Sequence, residues 1–404
     1  MSMVNLRVRP HVCRLLLFSF LMVVVSSCSG LTRPEEVGMS SERLKQLDRL
    51  MAECLRQKYF PAAVIVVGRK DKIVFRQAYG HSQWVPAPKP IKIDMIFDLA
   101  SLTKPIATAT SIMILVERGQ LSLWDKVKDY VPEFSVYVDK NGEKGEEARL
   151  YHLLTHTSGL PAYTDAQEVA KTYGSPCPTE TLVKHIAALK KEFAPGQDFR
   201  YSCLGFITLA YIIKKVTGQD LAAFASENIF KPLEMKRTSF KPPLSWKEHC
   251  VPTEVIDGQP LIGVVHDPLA RLQGGISGNA GLFSTGDDLA IFARMMLHQG
   301  EFNGRRILSP LSVKRMTEIF PDVLFSGRGL GWDVSSVYSS NRGDLFGRSS
   351  YGHTGYTGTS MWIDPETETF VIFLTNRVHP DDKGVIIPVR SRVANIVAAA
   401  IIHP

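Results

Sequence analysis

The feature that most constrains the fold of this chain is the placement of its strand signals near its two ends, with helical patterns between them. Ala62-Ala63-Val64-Ile65-Val66-Val67 and Ile73-Val74-Phe75 flank the polar turn Gly68-Arg69-Lys70-Asp71 and predict a β-hairpin. In the last third, residues 329–334, 358–363 and 370–376 read as strands, the latter two joined by the turn Asp364-Pro365-Glu366-Thr367. Between and around them, residues 40–58 carry Leu44, Leu47, Leu50, Met51 and Leu55 on one side of an amphipathic helix. Residues 204–216 read as a helix stopped at Gly218, residues 287–297 and 310–319 as further helices, and residues 389–402 as a closing helix. One sheet assembled from both ends of the chain, covered by helices, is the expected architecture. With 404 residues the chain is long enough for a large single domain or two domains sharing a core.

The densest chemical signal is Ser101-Leu102-Thr103-Lys104, followed by the small and apolar run of residues 105–116. In a helix, Ser101 and Lys104 lie one turn apart on the same face, close enough for the amine to take the hydroxyl proton. A buried lysine loses its charge more easily than an exposed one, so it can act as a base and make a weak serine nucleophilic without a histidine. A helix start with a solvated face gives the same four residues, but no other serine in the chain has a lysine three positions on.

The N-terminus reads as an address. Arg7, Arg9 and Arg14 precede an apolar stretch over residues 15–25 that is too short to span a bilayer, and Ser26-Ser27-Cys28 follows. Val25-Ser26-Ser27-Cys28 resembles a bacterial lipobox, with Cys28 as the lipid-modified residue. That implies a signal peptide over residues 1–27, a tether over 28–36, and a folded region over 37–404. Ser29 stands where an inner-membrane retention signal would carry Asp, so the resemblance favours an outer-membrane lipoprotein facing the periplasm. Removing residues 1–27, with three arginines and no acids, brings the formal charge from +7 to +4. That excess is too mild and scattered to argue for a nucleic-acid partner.

Cys54, Cys177, Cys203 and Cys250 match no disulfide framework or zinc pattern and are expected to be mostly unpaired. His152 and His156 have the i, i+4 spacing of a metal pair, but Leu153 follows where a zinc protease motif would have Glu; they read as loop-positioning residues. Gly274-Gly275-Ile276-Ser277-Gly278 lacks the lysine of a phosphate-binding loop. His266-Asp267 is ambiguous on spacing alone.

Ser101-Leu102-Thr103-Lys104, Tyr201-Ser202-Cys203 and His353-Thr354-Gly355 fall in the order and rough separation of the three motifs of serine β-lactamase-like hydrolases. This superfamily includes class C β-lactamases, low-molecular-weight penicillin-binding proteins and related esterases. Residues 153–161, Leu-Leu-Thr-His-Thr-Ser-Gly-Leu-Pro, and 278–285, Gly-Asn-Ala-Gly-Leu-Phe-Ser-Thr, are similar to the same family. The resemblance runs from about Glu36 to the C-terminus. It implies an α/β (α+β) fold in which an antiparallel sheet is flanked by helices, with sheet regions at about 37–100 and 320–404 and an all-helical subdomain in the middle. The active site would lie between them.

By that resemblance Ser101 is the nucleophile, Lys104 and Tyr201 handle protons, and the backbone N–H groups of Ser101 and Tyr356 hold the oxyanion. His353, Thr354 and Gly355 would border the substrate, and the loop of His266 would adjoin the site. Two-step acyl transfer of this kind needs no metal and no organic cofactor. Cys203 departs from the Asn usual at its position, and a thiol is a poor substitute for an amide that both donates and accepts. His353 stands where many relatives carry Lys; an unperturbed histidine loses its charge near pH 6.5, so a role in binding a substrate carboxylate would make the Michaelis constant rise with pH. Three functions stay open at this point. They are a DD-carboxypeptidase or endopeptidase on wall peptides, a β-lactamase or esterase of the same fold, and a non-catalytic lipid-anchored penicillin-binding or scaffold protein. Small peptides, β-lactams or esters are the corresponding ligands.

Overall fold

The computed structural model describes residues 31–403; the signal, lipobox and Cys28 expectations fall on residues outside that range. The hairpin expected from residues 62–75 forms as β1 (Ala62–Arg69) and β2 (Lys72–Gln83), turning on Lys70 and Asp71, both in the left-handed region. β2 continues well past Phe75 and pairs with β3 (Lys89–Pro90). From the far end come β4 (Tyr351–Thr354), β5 (Ser360–Asp364) and β6 (Thr369–Thr375). The six strands lie in the order β4-β5-β6-β1-β2-β3, and every pairing is antiparallel. β6 docks beside β1 in the register Ala63 opposite Thr375 through Arg69 opposite Thr369, so the two ends of the chain meet in mid-sheet.

The unbroken apolar run of β1 is explained by burial on both faces. Val64 and Val66, with Phe370, Ile372 and Leu374 of β6, join the large helical core, while Ala63, Ile65 and Val67, with Val371 and Phe373, face a second layer. That second layer holds α1 (Gln46–Arg56), which buries Leu47, Met51 and Cys54, and the closing helix Ile387–Ala399, which buries Val389, Val393 and Val397. On the other face, Gly286 opens the helix Gly286–Leu297 directly against the sheet. A Cβ there would stand 2.8 Å from a methyl of Val66.

The amphipathic segment at 40–58 divides at Lys45 into Ser41–Leu44 and α1. The middle of the chain contributes α2 (Thr110–Glu117) and α3 (Cys203–Thr217), the latter ended by Gly218 in the left-handed conformation. A small antiparallel sheet of Phe97–Asp98, Leu282–Ser284 and Ser239–Phe240 sits beside them. One expectation fails. Residues 329–334 do not form a strand. Gly331 takes φ +80° and donates its N–H to Leu154 O, so the extended run breaks, and only Asp333 reaches the sheet, exchanging N–H···O bonds of 2.9 Å with Gly352 on β4. Among the described residues no helix is long and apolar enough to cross a membrane. Cys54, Cys177, Cys203 and Cys250 are all free.

Candidate active site

Ser101 stands on a tight turn, Ala100–Leu102, between the short strand Phe97–Asp98 and the helix of Lys104. The residue before it, Ala100, has φ +46°, a conformation that a Cβ disfavours. The turn is held by Asp98, whose buried carboxylate accepts the Ala100 N–H at 2.8 Å through one oxygen and the His266 N–H at 2.7 Å through the other. The Asp98 carbonyl also accepts the Thr357 hydroxyl at 2.7 Å. Burial pushes the Asp98 carboxyl upward, and the two backbone donors oppose that shift.

Lys104 opens a π-helical segment, Lys104–Ala109, that runs into α2; Pro105 is tolerated there because the first turn of a helix needs no N–H from it. The Lys104 side chain is fully buried. Its Nζ lies 2.9 Å from Ser101 Oγ, 3.0 Å from the Asn279 carbonyl and 3.5 Å from Cys203 Sγ. A carbonyl can only accept, so one N–H is committed to Asn279 and another points to the thiol. The third position faces Ser101, as a donor when the amine is charged and as a lone pair when it is neutral. Burial works to lower the Lys104 ammonium, while the adjacent Cys203 and Tyr201 work to raise it, and the balance lies above the usual lysine value.

Tyr201 lies two residues before Cys203, the first residue of α3, with Ser202 as the N-cap residue. Its ring centroid is 5.1 Å from Lys104 Nζ, and the ring stacks on His156 at 4.3 Å. His156 Nδ1 accepts the Ser202 N–H at 3.0 Å, and the Ser202 hydroxyl donates to Pro161 O at 2.6 Å. Burial first, then the charges of Arg328 and Lys104, hold His156 well below its ordinary pKa, so the ring is a neutral acceptor. His152 has a separate task, its Nδ1 accepting the Arg149 N–H at the start of the helix Leu150–Leu154. Both histidines thus position backbone, as their spacing without a third ligand suggested. Cys203 is a neutral thiol, burial pushing its pKa up against the pull of Lys104.

The third motif forms a hairpin arm rather than the opening of the strand at 358–363. His353 and Thr354 lie on β4, and residues 355–359 form the loop into β5. This loop is stitched to the Ser101 turn by Thr359 Oγ1, which donates to Leu99 O at 3.0 Å, and by the Thr357–Asp98 bond. Gly355 is required by close approach, since a Cβ would lie 2.2 Å from Thr359 Oγ1 and 2.4 Å from Leu99 O. From behind, Arg390 Nη2 donates to Gly355 O at 2.6 Å and Thr359 O at 2.9 Å. The Tyr356 N–H has no hydrogen-bond partner among the described residues, leaving it free for a ligand. Its side chain turns outward, the hydroxyl donating to Asp382 and the ring stacking on His266 at 5.4 Å.

Ser101, Tyr201, His353, Thr354, Gly355 and Tyr356 line one cavity of about 520 Å³. The structure therefore gathers the three sequence motifs at one place, with Lys104 and Cys203 directly beneath. His353 does not have the character of a titrating surface cation. Its ring is buried, Nδ1–H donates to Thr354 O at 2.8 Å, and burial together with Arg328 and Lys104 keeps its pKa well below the ordinary value. Sequence reasoning missed Asp98, Arg328 and Arg390, single residues outside any recognisable pattern, and gave Asn279 no role although the segment 278–285 that contains it was singled out.

The beta-lactamase family model matches residues 47–394. The chain is 30% identical over 374 residues to a protein of Escherichia coli (strain K12) named "Putative D-alanyl-D-alanine carboxypeptidase", covering 86% of this chain and 85% of the relative. It is likewise 30% identical over 376 residues to an N-acetylmuramyl-L-alanine amidase of Bacillus subtilis (strain 168), covering 85% and 83%. Among solved structures it is similar to EstCE1, a hydrolase with promiscuous acyltransferase activity, with a TM-score of 0.71 and 20% identity over 90% of this chain and 99% of that one.

Proposed function

The chain belongs to the beta-lactamase family of serine hydrolases, and on that premise we propose that it cleaves D-Ala-ending peptides of peptidoglycan as a DD-carboxypeptidase or endopeptidase. The observation that carries this reading is the 2.9 Å separation of Lys104 Nζ from Ser101 Oγ, inside a cavity that also holds Tyr201. In the neutral form of Lys104, two N–H groups stay on Asn279 and Cys203, and the lone pair faces the hydroxyl of Ser101. Ser101 Oγ attacks the carbonyl, its proton passes to Lys104, and Tyr201 relays a proton to the departing amine. The N–H groups of Ser101 and Tyr356 receive the oxyanion, a contribution of about 3 kcal/mol for each such donor. Water then releases the acyl group from Ser101.

A second reading, an esterase or β-lactamase with the same steps, is favoured by Cys203. A thiol at 3.5 Å from Lys104 offers a substrate amide neither a good donor nor a good acceptor, and an ester needs less of both. The experiment is a mass shift on Ser101 after incubation with wall peptides ending in D-Ala-D-Ala and with short-chain esters. Acylation and turnover by the peptides support the peptidase; acylation by esters alone assigns the second reading; no shift from either class leaves the non-catalytic binding role.

We further propose that Cys28 carries a lipid anchor that places the enzyme at the envelope, on the outer membrane facing the periplasm. The basic, apolar and small-residue order of residues 7–28 supports it. Incorporation of labelled palmitate that persists in Cys28→Ser would refute this.

A further inference from the structure

The Tyr356 N–H belongs to the same peptide group as the carbonyl of Gly355, and the two ends of that group are treated very differently. Its oxygen accepts twice: from Arg390 Nη2 at 2.6 Å and from the Gly358 N–H at 3.1 Å. Its N–H is open. The other hydrogen of Arg390 Nη2 goes to Thr359 O at 2.9 Å, and Thr359 O also accepts the Gly355 N–H at 2.7 Å. On the far side of residue 356, Arg377 Nε donates to Tyr356 O at 2.9 Å. The plane of the Gly355–Tyr356 peptide is thus fixed from behind, with one donor left facing the cavity that Ser101 lines.

A positive charge is a costly way to brace a loop at this place. Arg390 stands on the closing helix Ile387–Ala399 and is only 6% exposed. Its Nε has no partner among the described residues, and the charge that acts on it most is that of Arg377, which is repulsive. A neutral side-chain amide could hold a carbonyl here without burying an unpaired cation. What only a cation adds is polarisation. Donated to Gly355 O, it draws electrons towards that oxygen and leaves the Tyr356 N–H more positive. This N–H is the one assigned to the oxyanion, where negative charge grows as Ser101 attacks.

We propose that Arg390 is a positioning residue for the oxyanion, its guanidinium acting through the Gly355–Tyr356 peptide to polarise the Tyr356 N–H. This deepens the acyl-transfer reading and rests on Ser101 being the acylated residue. The benefit grows with the charge on the substrate oxygen, so it falls on kcat and hardly on KM.

The test acylates wild type, Arg390→Gln and Arg390→Lys with p-nitrophenyl cinnamate labelled with carbon-13 at its carbonyl. The isotope-edited infrared stretch of the ester on Ser101 is then recorded beside the acylation kinetics. The wild-type stretch should lie below that of the same ester free in water. In Arg390→Gln, which keeps a donor and loses the charge, the stretch should rise and kcat should fall about tenfold or more, with KM within a small factor. Arg390→Lys, which restores the charge, should recover part of both. A residue that only supports the fold would change active-site titre and Tm, not the stretch in the molecules that acylate. An unaltered stretch in folded Arg390→Gln overturns the proposal, even where its rate has fallen. A wild-type stretch no lower than that of the free ester overturns it without any variant. Absence of an acyl-enzyme in wild type overturns the acyl-transfer reading and this proposal together. Inert D-Ala-D-Ala peptides, with the cinnamate behaving as expected, refute the peptidase reading alone.

Discussion

The carboxylate of Asp98 accepts the N–H of Ala100 at 2.8 Å and thereby holds a left-handed residue immediately before the candidate nucleophile. Its second oxygen and its carbonyl tie the same turn to His266 and Thr357. Asp98→Asn replaces one acceptor with a donor facing an N–H, which costs about 1–3 kcal/mol. The expected outcome is a loss of about tenfold or more in the acylation rate of Ser101, with a Tm lowered by several degrees. Stopped-flow acylation with an activated ester, alongside thermal melts, checks it; an unaltered rate in a folded variant would show that the strained turn holds without this bond.

The neutral amine of Lys104 is the form that accepts the Ser101 proton, and its neighbours raise its pKa against the burial that lowers it. Raising the pH removes the proton, so kcat/KM should climb between about pH 6 and pH 9. Lys104→Gln should abolish that rise and lower the rate by a factor on the order of 10² to 10⁴. A pH–rate profile of wild type and variant on one neutral ester reports both.

His156 reaches the site through another residue, its ring on Tyr201 and its Nδ1 on the Ser202 N–H. His156→Phe keeps an aromatic partner for Tyr201 but orphans that N–H. Here kcat should fall while KM stays within a small factor of wild type, and His156→Asn, which restores an acceptor, should recover part of the loss. Steady-state kinetics separates this from a general loss of folded protein, which would scale kcat with active-site titre.

Four histidines are buried as neutral rings, and burial is the leading cause at each: His152 is brought down to about 4, His156 and His353 lie well below their ordinary value, and His379 lies below it. A base whose folded pKa is depressed leaves the unfolded chain binding more protons in acid. The stability they confer is therefore complete above about pH 6.5 and is lost as the pH falls through that value. For His152 alone the loss amounts to about 3 kcal/mol by pH 4. Urea unfolding at pH 7.5, 6 and 5 should show falling midpoints, and His152→Gln should flatten part of the slope.

Much of this architecture was legible because its signals are local. The all-apolar run of β1, the Gly218 stop of α3 and the spacing of Ser101 to Lys104 each depend on residues a few positions apart. The strand expected at 329–334 failed for the opposite reason: Gly331 is set by the helix it crosses, a Cβ there falling 2.6 Å from Ala109, and no neighbour in sequence reveals that. Asp98 and Arg328 were invisible on the same ground. Each matters through a partner far along the chain, and a lone acid or arginine has no period to detect. His353 was visible as a residue but not in its character, since its neutrality comes from enclosure and from Arg328.

The docking of β6 beside β1 also has a consequence for biosynthesis. The first hairpin leaves the ribosome with one long edge exposed, and the strand that covers it emerges only near the end of translation. Such a distant closure is slow and leaves a sticky edge waiting. Chains cut short before Thr369 would lack both that cover and the Arg390 brace behind Gly355, so premature products should aggregate or be degraded rather than linger as partly active enzyme.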